Sequence, residues 1–240
     1  MRKLPLAAIA VFSALASLDV LVGGGVAHLV ATRLPIGPWQ PVALAVLALL
    51  LVEACALATY RLCLWYRPLV EGPIEPGSPA ESAYNLHLLF HLVFFNGLRP
   101  VLPTPLVRVW YLALGAKLGP NSYSAGAIHE PTLVTVGANC ILGAASQVIP
   151  HVMENERLEL RRITLGDNVT LGANSVVAGG CTIGDDAILA FNSVLSKGSV
   201  MGPGETWMGL PARGVFKRRL KPNEEPARQP PSGPPPHPSK

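Results

Sequence analysis

Ile163-Thr-Leu-Gly-Asp-Asn-Val-Thr-Leu-Gly-Ala-Asn174 is the stretch whose reading decides the fold. Leu165 and Leu171 stand six residues apart in it, each followed by a glycine, and the row continues through Val177, Ile183, Leu189 and Leu195. Two places before each aliphatic stands a medium or small residue: Ile163, Val169, Ser175, Cys181, Ala187 and Ser193. An α-helix cannot make this row, because 3.6 does not divide six, and a simple hairpin sheet shows period two. A period of six fits a coil with three short flat sides, each turning one aliphatic inward. Its corners favour Gly, Asn or Asp, which tolerate unusual backbone angles. Asp167-Asn168, Asn174 and Asp185-Asp186 are of that type.

Working outward, an earlier block keeps the period in another frame: Val136-Gly137, Leu142-Gly143 and Val148, preceded by Val134, Cys140 and Ser146. About a dozen hexads make roughly four turns, more than the three or so repeats a solenoid needs. Residues 149–162 separate the two frames and do not fit the repeat. Insertions in solenoids often carry the binding face, and this one contains His151.

The front of the chain differs in kind. From Leu4 to Thr32 the one formal charge is Asp19, and from Val42 to Tyr60 it is Glu53. A bilayer core takes about 20 apolar residues of helix, and both stretches reach that. The 240 residues are 50% apolar and 14% charged, with a mean hydropathy of +0.37. That composition speaks against a freely soluble monomer and against disorder over most of the length. With a net charge of +4 and 6% aromatics, a nucleic-acid groove is not expected. The reading is a helical hairpin in a membrane, with Pro35-Ile36-Gly37-Pro38-Trp39 as its turn. A cleavable signal peptide built on Arg2-Lys3 and Ala14-Leu15-Ala16 is the competitor, but the apolar run continues past Ala16 and a second follows. Arg2, Lys3, Arg61 and Arg67 flank the spans and only Arg33 lies between them, which places both ends in the cytoplasm. Asp19 and Glu53 are either satisfied within the helix bundle or serve a substrate or proton path. Tyr84 to Leu98 is too short for a span and reads as interfacial. Its His87 and His91 share a helix face, either as a metal pair or as that helix's polar side. Cys55, Cys63, Cys140 and Cys181 show neither metal spacing nor a paired framework, so they read as free thiols.

The repeat, with its closing strings Phe191-Asn-Ser-Val-Leu-Ser-Lys-Gly198 and Gly209-Leu-Pro-Ala-Arg213, resembles the hexapeptide-repeat acyltransferases, which have a left-handed parallel β-helix. Acetyltransferases of the galactoside and maltose type close similarly. Glu130-Pro-Thr-Leu-Val-Thr-Val-Gly137 is similar to the repeat domain of membrane-anchored, polylysine-type peptide synthetases. The resemblance implies a homotrimer with acyl-CoA, such as acetyl-CoA, as donor along a groove between coils. It implies His151, at the start of an excursion ahead of Ile163-Thr-Leu-Gly166, as the base. It also implies Ala173, Asn174, Ser196, Lys197, Pro211 and Arg213 as cofactor contacts. Chemistry supplies a separate reason for a histidine there. An attacking hydroxyl or amine must lose its proton, and imidazole titrates near working pH.

His129 sits where the early frame fails, because Glu130 occupies an inward slot. It is a second catalytic group, a substrate contact, or strain relief beside Pro131. Glu154 or Glu156 either orients His151 or is a solvated loop charge. The expected organisation is mainly β: a transmembrane hairpin over 1–67, a linker over 68–83, interfacial helices over 84–114, a left-handed β-helix over 115–215, and a disordered Pro-rich tail over 216–240. The expected function is transfer of an acyl group, by a multi-pass protein of the cytoplasmic membrane, to a small-molecule, lipid-linked, saccharide or peptide acceptor. A non-catalytic trimeric scaffold is the alternative. A zinc hydratase on the same coil needs three close histidines, and after Ser122 the coil offers only His129 and His151.

Overall fold

The structure is a computed structural model that describes residues 4–33 and 37–217. Its second half is a three-sided coil of short parallel strands. One side holds β2 (Lys117–Leu118), β5 (Val134–Val136), β10 (Ile163–Leu165), β13 (Thr182–Ile183) and β16 (Val200–Met201). The second holds β3 (Tyr123–Ser124), β6 (Ile141–Leu142), β11 (Thr170–Leu171), β14 (Ile188–Leu189) and β17 (Glu205–Gly209). The third holds β4 (Ala127–Ile128), β7 (Gln147–Ile149), β12 (Val176–Ala178) and β15 (Val194–Leu195). The two rows read from the sequence line the interior: all twelve residues from Ile163 to Leu195 in them are at most 1% exposed.

The two frames are one coil. Leu118 pairs with Val136 and Leu165 with Ile183, a spacing of 18, whereas Val136 pairs with Leu165, 29 residues on. The excess of 11 is the excursion, which the structure shows as an ordered hairpin of β8 (His151–Glu154) and β9 (Arg157–Leu160). Asn155 and Glu156 at its tip both have positive φ, as the tightest hairpins require.

Corner chemistry divides in a way the sequence did not separate. Positive φ falls on Asn139, Asn168, Asn174, Asp186 and Asn192. Gly166, Gly172 and Gly184 are absent from those positive-φ positions; what they supply is room. A Cβ on Gly172 would lie 2.3 Å from the Phe191 nitrogen in the next coil.

Helices α1 (Leu6–Arg33) and α2 (Gln40–Tyr66) form an antiparallel pair, each long and apolar enough to cross a membrane. Within their most apolar windows only 17% and 11% of residues are buried. The pair closes at Gly23, where a Cβ would meet the Val52 nitrogen at 2.7 Å. Asp19 and Glu53 are buried, and the Thr59 hydroxyl donates to Asp19 Oδ1 at 2.6 Å.

The 68–83 stretch read as a linker is structured in part. Strand β1 (Gly72–Ile74) pairs antiparallel with β9, because Gly72-Pro73-Ile74 extends alongside it. Ser78 then caps α3 (Pro79–Phe90) by accepting from the Glu81 amide at 3.1 Å. A π-helical turn (His91–Phe95) and a single-turn α4 (Asn96–Leu98) lead to α5 (Thr104–Leu114). α5 buries Val107, Tyr111 and Leu114 against the first coil, and so covers the end of the solenoid where unpaired strand edges invite aggregation. Gly115, at φ +104°, ends α5, with Gly115 and Ala116 donating back to Leu112 and Tyr111. At the far end β18 (Ala212–Lys217) folds back on β17, so Lys217, read as part of the tail, belongs to a strand. Residues from 218 on, together with Arg2-Lys3 and Pro35-Ile36, lie outside the described residues.

Candidate active site

His151 opens β8, just after Pro150 closes the second coil. Its Nδ1 lies 2.8 Å from Glu130 Oε1. Glu130 is 3% exposed and His151 30% exposed. A carboxylate only accepts, so Nδ1 carries the proton in this bond and Nε2 is left with its lone pair. Glu130 reaches this position because its backbone is left-handed (φ 39°, ψ 66°), held between β4 and the 3-10 turn of Pro131–Leu133. This explains the failed frame: an acidic residue replaces an inward aliphatic and faces a histidine one coil away. Glu130 is therefore the carboxylate that contacts His151. Glu154, expected in that part, instead pairs with Lys197, and Glu156 sits at the hairpin tip.

Three further histidines gather here. The His129 and His151 rings are 5.9 Å apart and nearly perpendicular. From α3 and its π turn come His87 and His91, with ring centroids 4.3 Å apart. His87 is buried rather than on the polar face of an interfacial helix, because α3 is packed between the hairpin and the coil. The Tyr60 hydroxyl is 2.8 Å from His87 Nδ1, and His87 Nε2 is 3.9 Å from Glu130 Oε1. The far oxygen of Glu130 and Nε2 of His91 are buried with no hydrogen-bond partner. Among the described residues no three His, Cys, Asp or Glu side chains converge as metal ligands. A cavity of about 220 Å³ bounded by His91, Phe95, Trp110, His129, Glu130 and His151 occupies the space between.

The cluster sets protonation states by place. Burial works to lower the His151 pKa, but the hydrogen bond and charge of Glu130 outweigh it, and the net shift is upward. Burial and the neighbouring imidazoles hold His87 well below the ordinary histidine value, and burial takes His91 down to about 3. His129 is lowered mainly by burial, against the pull of Glu130. At neutral pH the cluster thus holds neutral imidazoles beside one that protonates readily.

The residues expected to hold the cofactor are exposed and fall on two edges of the prism. His129, Glu130, His151, Ser196 and Lys197 follow third-side strands, on one edge. Ala173, Asn174 and the turn with Pro211 follow second-side strands, on another. Arg213 lies beside that turn, paired with Met208. One chain does not bring the two groups together. The Lys197–Glu154 pair joins the excursion hairpin to the fourth coil. Of the site, the sequence singled out His151 and His129, marked His87 and His91 as a metal pair or a helix's polar side, treated Glu130 only as a break in the pattern, and left Tyr60 unmarked.

Residues 162–197 match a family model described as bacterial transferase hexapeptide (six repeats). Among solved structures, a hexapeptide-repeat containing acetyltransferase from Vibrio cholerae is 19% identical, over 48% of this chain and 81% of that one, with a TM-score of 0.41. A maltose O-acetyltransferase from Clostridium difficile 630 is 14% identical over 70% and 89%, with a TM-score of 0.36. An N-acyltransferase from Bacillus cereus, solved with dTDP and 3-hydroxybutyryl-CoA, is 15% identical over 47% and 88%, with a TM-score of 0.31. No curated protein matches the chain.

Proposed function

We propose that the protein is a membrane-anchored acyltransferase that moves an acyl group, most simply acetyl, from coenzyme A to a hydroxyl or amine. The observation that carries this is the Glu130–His151 contact, a buried carboxyl holding a part-exposed imidazole at the mouth of a cavity. In the reaction the acceptor oxygen or nitrogen attacks the thioester carbonyl carbon, forming the new bond. His151 Nε2 takes the acceptor's proton as that bond forms. When the carbon–sulfur bond breaks, the proton passes to the departing thiolate, and the products are acylated acceptor and free coenzyme A. Glu130 fixes the tautomer and stabilises the imidazolium between these steps. His129, perpendicular to His151, would contact the acceptor or the tetrahedral oxyanion.

The hairpin anchors the chain as a multi-pass protein with the coil on the cytoplasmic side, where acyl-CoA is found. Coenzyme A would draw on Ser196 and Lys197 of one edge and on Ala173, Asn174, Pro211 and Arg213 of another. That split suits a homotrimer in which one subunit's edge meets its neighbour's. Lys197 would exchange Glu154 for a phosphate, a small change because exposed ion pairs contribute little.

The test is release of coenzyme A from acetyl-CoA by purified full-length protein, with His151→Ala as the comparison. The variant should keep the wild-type oligomeric state and melting behaviour and lose turnover. Equal rates in the two proteins remove His151 from the role. No thermal shift with coenzyme A at millimolar concentration points instead to a scaffold.

A further inference from the structure

A second cavity, of about 410 Å³, lies between the N-terminal half of α1, the C-terminal end of α2, and α3. Its walls are apolar, formed by Ala8, Val11, Leu15, Leu64, Ala83 and Leu86 among others. The space is open on one side, where its lining residue Val11 is 53% exposed, so a partner can enter from outside, and apolar walls left without one forfeit dispersion contacts. The volume falls in the range of about 300–1,000 Å³ found for small-molecule sites. Its lining also includes polar groups, among them Arg67, Ser82 and the Tyr60–His87 pair. His87 also borders the cavity that holds His129, Glu130 and His151. One buried imidazole is therefore the wall between an apolar chamber and the polar site.

Resting on the acyltransferase reading, we infer that the acceptor is a single-tailed amphiphile whose hydrocarbon tail occupies the apolar chamber and whose hydroxyl or amine passes His87 to reach His151. Placement argues for a tail. The chamber lies at one end of two helices that are long and apolar enough to cross a bilayer, beside the polar domain, so a molecule dissolved in the bilayer meets it laterally. Charge argues for the orientation. His87 is kept neutral by burial and by its neighbouring imidazoles, so the hydroxyl or amine meets no buried charge as it passes, and among the described residues the one cation lining the chamber is Arg67. The acyl donor is less suited to the chamber, because its nucleotide end belongs on the water-facing edges that carry Lys197 and Asn174.

The experiment uses the full chain in phosphatidylcholine nanodiscs, with radiolabelled acetyl-CoA as donor and either butanol or hexadecanol as acceptor. A methylene admitted to an apolar pocket changes discrimination by about tenfold or more, so hexadecanol should be preferred by at least that factor. Leu86→Trp and Ala8→Phe, which fill the chamber, should abolish the preference while leaving coenzyme A binding unchanged. A wild-type measurement stands beside them in case a variant misfolds: hexadecanol carrying a tail diazirine should crosslink to α1 and α3 at the chamber walls. Equal use of both alcohols, or crosslinks scattered over the lipid-facing helix surfaces, overturns the inference and leaves the acyltransferase reading intact. A length preference that follows the donor, with palmitoyl-CoA favoured and the filling variants suppressing it, also overturns it. Wall crosslinks without any coenzyme A binding sink the acyltransferase reading and keep the chamber as a tail site.

Discussion

Replacing Glu130 by Gln keeps the side chain's size and changes the electrostatics at one point. In the native site the Glu130 hydrogen bond and charge raise the His151 pKa against the effect of burial. With the charge gone, burial is the larger influence left, and the imidazole should titrate below its ordinary 6.5. A general base works in its neutral form, so the wild-type kcat/KM should rise with pH through a value above 6.5. In Glu130→Gln that acid limb should lie at lower pH, because kcat/KM reports the free enzyme's base. The rate on the plateau should fall as well. A hydrogen bond to a charged group contributes about 1.5–3 kcal/mol, which at about 1.4 kcal/mol per tenfold is roughly a 10- to 100-fold loss. The assay is coenzyme A release between pH 5 and 9, with circular dichroism to confirm the fold. A limb that stays in place or moves up, at an unchanged plateau, would refute the claim that Glu130 acts through His151.

Two further outcomes concern stability. His87 and His91 fold as neutral groups with lowered pKa values, whereas the unfolded chain protonates near 6.5. Their contribution is therefore complete above that pH and declines below it, by up to about 1.4 kcal/mol per pH unit for each group. His151 acts in the opposite sense but singly, so urea midpoints should fall between pH 7 and pH 5; a flat profile contradicts the buried-neutral assignment. For the coil, Gly172→Ala drives a methyl into the Phe191 backbone, and overpacking of this kind costs about 1–3 kcal/mol. Gly97→Ala has open space around it and should be tolerated, so equal melting temperatures for the two variants would contradict the stacking role.

What could be read without coordinates follows from how far each contact lies along the chain. The inward rows were legible because the coil repeats them locally, and the Asn and Asp corners because their side chains suit left-handed backbone. Gly180, Gly198 and Gly204 do take left-handed corners, but Gly166, Gly172 and Gly184 were misattributed to backbone freedom, since a clash with the next coil arises 18 or 19 residues away and leaves no local trace. Glu130 was legible in principle. A coil of 18 residues puts positions near 148 against it, and His151 stands three beyond, 21 residues on. An acidic residue in an inward slot with a histidine one turn later is a pattern that the period itself makes searchable. No period links His87 to Glu130 or Tyr60 to His87. Those contacts depend on how α3 packs between a helical hairpin and a solenoid, and side-chain direction there is set by packing rather than by spacing. The same packing places an apolar chamber against a polar one. The sequence could therefore suggest a base and a donor, while the apolar chamber beside them emerged only when the two halves of the chain were seen in contact.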